Sequence, residues 1–86
     1  MYAYYFIPVS FNIYMKKSLY NLAKLAGNIK KRRLDLELSR EELAEQAEVN
    51  YNTIIKLESG ANKNPTISTL IGLATVFKMK VEDLLK

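Results

Sequence analysis

Residues 40–59 have the sequence REELAEQAEVNYNTIIKLES, and this pattern predicts two short helices joined by a tight turn. Ser39 and Glu42 have the spacing of a capping box, in which the serine hydroxyl accepts from the third helical N–H and the glutamate reaches back to the cap. Asn50 is a good N-cap for the second helix. Gly60 most easily takes the left-handed conformation that ends such a helix. We therefore expect one helix over 40–47 and a second between Asn50 and Gly60.

The apolar residues of this unit recur at helical spacing, which predicts a buried stripe on each helix and an apolar plug in the turn. They are Leu43, Ala44, Ala47, Val49, Ile54 and Leu57. At 100° per residue, the outward arc of the second helix carries Tyr51, Asn52, Ile55, Lys56 and Ser59. Such an arc could contact base edges in a DNA major groove, although an ordinary solvated face has the same composition.

Composition narrows the classes of function. The chain has 86 residues, which suits one domain, and it contains neither cysteine nor histidine. The usual general base and the commonest metal ligands are thus absent, so we expect no enzyme, no metal site and no cofactor. The net charge of +4 permits nucleic-acid binding without requiring it. Residues 40–59 hold five acids and two bases, so any attraction to phosphate must come from flanking residues.

The N-terminal segment differs from the rest of the chain. Residues 1–15 carry no charge and six of the nine aromatic residues. They are too short, and too interrupted by Pro8 and Asn12, for a membrane span, and they lack the features of a secretory signal. We predict an arm over residues 1–17 that lies outside the domain. It could pack on a partner, add a strand, or be translated upstream of a true start at Met15.

A first helix is predicted from Ser18 to about Leu36, with Gly27 interrupting it, so that its regular part begins near Ala26. Its core positions by spacing are Leu22, Leu25, Ala26, Ile29 and Leu36. Arg33 shares their side and needs an acid if it is buried, and Glu58 is the best candidate.

Two further helices are predicted after Gly60. Thr66 caps a helix that we expect to be mainly core, with Ile67, Leu70, Ile71, Leu73, Ala74 and Phe77. A last short helix runs from Val81 to Leu85. No strand alternation follows residue 16, so the predicted fold class is all-α.

Residues 26–85 resemble the Cro and phage-repressor type of helix-turn-helix domain, the XRE family. The resemblance rests on AGNIKKRRLDLELSREELAEQAEVNYNTIIKLESG and NPTISTLIGLATVFKMKVEDLL. It implies a five-helix lambda-repressor-like DNA-binding domain over 26–85, whose helix-turn-helix motif spans 40–59 and whose third helix enters the major groove.

Residue roles follow from the resemblance position by position. It implies base reading by Tyr51, Asn52 and Lys56, beside which Ile55 of the same arc could touch a thymine methyl, and phosphate contacts from Arg40, Asn50, Thr53, Asn62 and Lys63. It also implies a structural ion pair between Arg33 and Glu58. The family often has glycine where this chain has Glu37, Glu48 and Lys78. We expect each to adopt a positive φ at a cost of about 1 kcal/mol, or the turns to differ. Lys80 replaces the usual serine cap of the fifth helix.

The predicted function is a cytoplasmic, sequence-specific transcription regulator that binds double-stranded DNA as a homodimer on a palindromic operator. The alternative is an antitoxin or protein-binding adaptor on the same fold, with a toxin as partner. Neither prediction involves a membrane.

Overall fold

The computed structural model describes residues 22–86, so the predicted arm over 1–17 and the predicted helical residues 18–21 lie outside the described residues. Four α-helices are present in this part: α1 (Leu25–Asp35), α2 (Arg40–Ala47), α3 (Tyr51–Ser59) and α4 (Ile67–Phe77). A 3₁₀ turn (Leu22–Lys24) precedes α1, and a 3₁₀ segment (Val81–Leu85) follows α4. The described residues contain no strand, which confirms the all-α fold class for them. The five-helix count is not confirmed, because residues 81–85 are 3₁₀ rather than α-helical.

Three N-caps lie where the sequence places them. The Ser39 hydroxyl accepts from the Glu42 N–H at 3.0 Å, and the Glu42 carboxylate accepts from the Ser39 N–H at 2.8 Å, completing the capping box of α2. Asn50 caps α3 through Oδ1. Thr66 caps α4 by accepting from the Thr69 N–H. Each cap satisfies an amide that has no partner within its own helix, and this fixes where each helix begins.

The regular part of the first helix starts close to the predicted point, but the predicted interruption at Gly27 is wrong, because α1 runs through Gly27. α1 begins at Leu25, one residue before the predicted point, and the preceding residues form the short 3₁₀ turn. Leu22 and Leu36 were predicted to be core positions, and both predictions are wrong, since each side chain is half exposed. Leu36 follows the last helical residue and Leu22 precedes the first, so the 100° rule does not apply to either.

A single core holds the four helices together. Its fully buried large side chains come from every α-helix and from the C-terminal 3₁₀ segment: Ile29, Leu43, Ile54, Leu57, Leu73 and Leu84. Val49 is half-buried against them in the α2–α3 turn, as predicted for the plug. The Asn28 amide donates to the Leu84 carbonyl at 2.7 Å and so fastens the C-terminal segment to α1.

The helix α4 is less deeply buried than predicted. Ile67 is 64% exposed and Ile71 is 52% exposed, so their assignment to the core is wrong. Most of the residues of α4 are apolar, and periodicity alone cannot show which side its neighbours cover. The covered side carries Leu70, Leu73 and Ala74. Gly72 allows close packing on α2, because a Cβ at that position would lie 2.4 Å from the Ala47 carbonyl oxygen.

All three expected left-handed residues are present. Glu37, Glu48 and Lys78 have φ values of 57°, 59° and 56°, and the last two are the C-caps of α2 and α4. A residue with a Cβ pays a steric cost in this conformation, whereas glycine does not. The turns therefore keep the geometry that glycine would give them, at a cost in stability.

We predict that Glu37→Gly, Glu48→Gly and Lys78→Gly each raise the free energy of unfolding, by about 0.5–1 kcal/mol, in urea titrations. The gain should be larger at Glu37 and Glu48, because an acid near a helix C-terminus also opposes the helix dipole. Gly60→Ala is the opposite control. Gly60 has φ 83°, so this variant should lose stability. A loss of stability in all three glycine variants would contradict the assigned turn geometry.

Candidate nucleic-acid interface

The unit α2–turn–α3 presents the outward arc of α3 to solvent. Tyr51, Asn52 and Lys56 are all exposed, and none of their polar side-chain atoms makes a hydrogen bond or ion pair with the described residues. Their donors and acceptors are therefore free for a ligand. Ile55, predicted to lie in the same arc, is half-buried at its edge. The core positions Ile54 and Leu57 hold the opposite side of α3 against the domain.

The predicted ion pair between Arg33 and Glu58 is present. Arg33 Nε donates to Glu58 Oε2 at 2.6 Å and Arg33 Nη2 donates to Glu58 Oε1 at 3.1 Å, so the pair is bidentate. Both side chains are buried, at 8% and 3% exposure. Arg33 Nη1 also donates to the Leu38 carbonyl at 2.8 Å, which ties α1 to the loop before α2. Hydrogen bonding to Glu58 raises the pKa of Arg33 above its ordinary value although burial opposes it, so this arginine stays charged.

Glu58 also binds a second arginine, which the sequence did not indicate. Arg40 Nε donates to Glu58 Oε1 at 3.1 Å, and the Arg40 side chain is 43% exposed. Its two Nη groups make no hydrogen bond or ion pair with the described residues and remain available to a ligand. Two arginines against one carboxylate leave a net charge of +1 at this point. Glu58, the most buried acid of residues 40–59, is therefore neutralised and does not repel DNA.

A small cleft of about 350 Å³ lies beside this cluster, lined by Lys30, Arg40, Ile55, Glu58 and Ser59. Lys30 is the first of four consecutive cations at residues 30–33, which point in different directions on a helix. On a helix it lies 60° from Arg33, whereas Lys31 lies 160° away from Arg33. Lys31 instead pairs with Asp35 at 2.8 Å. The 100° spacing of residues on a helix is therefore enough to predict that Lys30, and not Lys31, lies on the Arg33 side of α1.

The loop after α3 is held against the end of that helix. The Asn62 N–H donates to the Lys56 carbonyl at 3.0 Å, and Asn62 Oδ1 accepts from the Asn64 N–H at 3.0 Å. The Ser59 hydroxyl donates to the Lys56 carbonyl at 3.1 Å, so this outward residue is used within the loop. Lys63 is exposed and has no partner in the described part of the chain. The loop thus presents one free ammonium group next to α3.

Asn50 and Thr53 differ from the base-reading residues. Asn50 Oδ1 accepts from the Asn52 N–H at 2.7 Å, which leaves only the Asn50 amide N–H groups as donors. Thr53 is half-buried. Both lie at the N-terminal end of α3, where backbone amides and the helix dipole favour an anion. Their predicted phosphate contacts remain predictions.

Metal-binding clusters and membrane-spanning helices are both absent from the part of the chain that the structure describes. No group of three or more carboxylates there could hold a metal ion. Among residues 22–86, no helix is both long enough and apolar enough to cross a membrane.

The capped helix pair, the short turn and the exposed arc of α3 define a helix-turn-helix domain. A helix-turn-helix family model matches residues 29–84, and the chain belongs to this DNA-binding family, of XRE type. No curated protein matches the chain.

Two solved structures resemble this chain in both fold and sequence. The N-terminal DNA-binding domain of SinR from Bacillus subtilis is 31% identical with a TM-score of 0.70, over 72% of this chain and 90% of that one. SinR, described as the master regulator for biofilm formation, in complex with DNA is 31% identical with a TM-score of 0.69, over 72% and 98%.

A third structure resembles the fold alone. The restriction-modification controller protein C.AhdI from Aeromonas hydrophila is 23% identical with a TM-score of 0.68, over 74% of this chain and 96% of that one.

Proposed function

We propose that this protein is a sequence-specific transcription regulator that places α3 in the major groove of double-stranded DNA. The observation that carries the proposal is the exposed arc of Tyr51, Asn52 and Lys56, whose polar groups have no partner among residues 22–86. An amide can pair with adenine, an ammonium group can donate to guanine, and an aromatic or aliphatic group can touch a thymine methyl. The DNA complex of SinR, a 31% identical protein, supports this use of the fold.

Phosphate contacts would set the register of α3 on the duplex. We assign them to the free Nη groups of Arg40, to Lys63 in the loop, and to Asn50, Thr53 and Asn62. Lys30 lies in the cleft beside Arg40 and would add a further positive charge. These flanking groups supply the attraction that the acidic residues 40–59 lack.

We further propose that the protein acts in the cytoplasm as a homodimer on a palindromic operator, with no enzymatic activity and no cofactor. Two subunits would contact half-sites about one helical turn apart. The exposed Ile67 and Ile71 on α4 support association, since burying them against a second copy would remove apolar surface from water.

Selection of bound sequences from a random duplex pool tests this proposal. We expect an enriched inverted repeat whose half-site centres lie about 10 base pairs apart. Recovery of no enriched sequence would contradict the sequence-specific function, and an enriched single half-site would contradict the dimer. The same selection with a chain beginning at Met15 shows whether the aromatic arm contributes.

A further inference from the structure

A second basic surface lies outside the helix-turn-helix unit. It is an open groove of about 1010 Å³ between α1 and the C-terminal end of α4, continued by residues 78–86. Five of its lining residues are cations: Lys31, Arg32, Lys78, Lys80 and Lys86. None of its lining residues falls within 40–64. Lys31 lies 160° around α1 from Arg33, which contacts α3, so the groove opens on a different side of the domain from the recognition arc.

Three of these cations have no carboxylate partner among residues 22–86. Lys31 pairs with Asp35, and Lys86 lies 3.5 Å from Asp83, the one acid that lines the groove. The side chains of Arg32, Lys78 and Lys80 make no ion pair or hydrogen bond with residues 22–86. The groove therefore has an uncompensated charge of +3 from residues that are all exposed.

The floor of the groove is partly apolar. Ala74 is buried there, and Phe77 and Met79 are half-buried. A cationic rim around an aromatic and a thioether side chain matches a ligand that carries both carboxylates and apolar groups. The phosphates of a DNA duplex would pair with the cations of the rim and leave the apolar floor uncovered. The uncharged residues 1–15 of this chain would use the floor and leave the rim unpaired.

We propose that this groove is a docking site for an acidic segment of another protein, with apolar side chains interspersed among its carboxylates. The carboxylates would pair with Arg32, Lys78 and Lys80, and the apolar side chains would cover Phe77 and Met79. Because the groove shares no residue with the recognition arc, the protein partner and DNA can be bound together.

The test uses the full chain and a fluorescein-labelled glutamate-rich peptide with interspersed phenylalanine and leucine, followed by fluorescence anisotropy. The groove variant is Arg32→Gln/Lys78→Gly/Lys80→Gln, in which the glycine also relieves the left-handed residue. Lys24→Gln/Lys56→Gln/Lys63→Gln is the matched control, with the same change in net charge at residues outside the groove. We expect the groove variant to bind the peptide about tenfold more weakly or worse, and the control to bind it as the unchanged protein does.

DNA binding separates this proposal from the proposed function. The groove variant should keep its selectivity for the pool-selected sequence, whereas the control variant should lose selectivity through Lys56 and bind every duplex more weakly through Lys63. If both variants lose peptide binding equally, the peptide is attracted by the overall charge of the protein and not by the groove, and the proposal is overturned. If the affinity is unchanged when serine replaces the phenylalanine and leucine of the peptide, the apolar floor does not take part in binding, which would overturn the proposed recognition of apolar side chains. Loss of duplex binding in the groove variant alone, with peptide binding unchanged, would assign the surface to nucleic acid and overturn the proposal.

Discussion

Replacing Arg33 with methionine is expected to lower the free energy of unfolding by about 3 kcal/mol or more. The change leaves the Glu58 carboxylate, 3% exposed, with the Arg40 Nε bond as its one remaining ion pair among residues 22–86. It also leaves the Leu38 carbonyl without its donor. Breaking one side of a buried pair costs more than the pair itself contributes, because the remaining charge stays desolvated. Urea denaturation followed by circular dichroism measures the loss.

Two variants control this result. Lys31→Met removes the exposed pair with Asp35, whose side chains are 70% and 53% exposed, and should change stability by less than about 0.5 kcal/mol. Arg33→Met/Glu58→Met removes both buried charges and should recover most of the stability lost in the single variant. Equal losses from Arg33→Met and Lys31→Met would show that the buried pair contributes nothing beyond a surface pair.

The second large effect is expected on DNA selectivity. Asn52→Ala/Lys56→Ala should reduce the ratio of operator to non-operator affinity by about a hundredfold or more, since each well-placed base contact contributes about 1–3 kcal/mol. Both side chains are exposed and make no hydrogen bond or ion pair with residues 22–86, so circular dichroism and thermal unfolding should be unchanged. Competition binding at fixed salt gives the ratio.

The matched control for selectivity is Gln46→Ala/Lys24→Ala, which likewise removes one side-chain amide and one ammonium group, from exposed positions outside the α3 arc. It should preserve the ratio. If Asn52→Ala/Lys56→Ala retained its selectivity, α3 would not be the element that reads the base sequence, even if the protein still binds DNA.

Local chemistry made most of the fold predictable from the sequence. The caps at Ser39, Asn50 and Thr66 and the stop at Gly60 depend on residues within one turn of the helix end, and each is found where predicted. The positive φ of Glu37, Glu48 and Lys78 was expected only through the family resemblance, because their side chains do not favour it. The burial of Arg33 against Glu58 followed from helical facing.

Features that depend on three-dimensional neighbours were less predictable. The exposure of Ile67 and Ile71 depends on which side of α4 is covered, and the 3₁₀ form of residues 81–85 depends on how a short segment fits onto α1. The contact of Arg40 with Glu58 joins residues 18 positions apart on two helices, and neither helix indicates it alone. The basic groove likewise forms from α1 and residues 74–86, which no single motif connects.

The central claim is that DNA lies against the outward arc of α3. Backbone ¹H–¹⁵N correlation spectra recorded while the pool-selected duplex is added test this claim most directly. The largest shift changes are predicted at Tyr51, Asn52, Ile55 and Lys56, with smaller ones at Arg40 and Lys63 and none in the groove at Lys78 and Lys80. Large changes along the groove with an unperturbed α3 would contradict it.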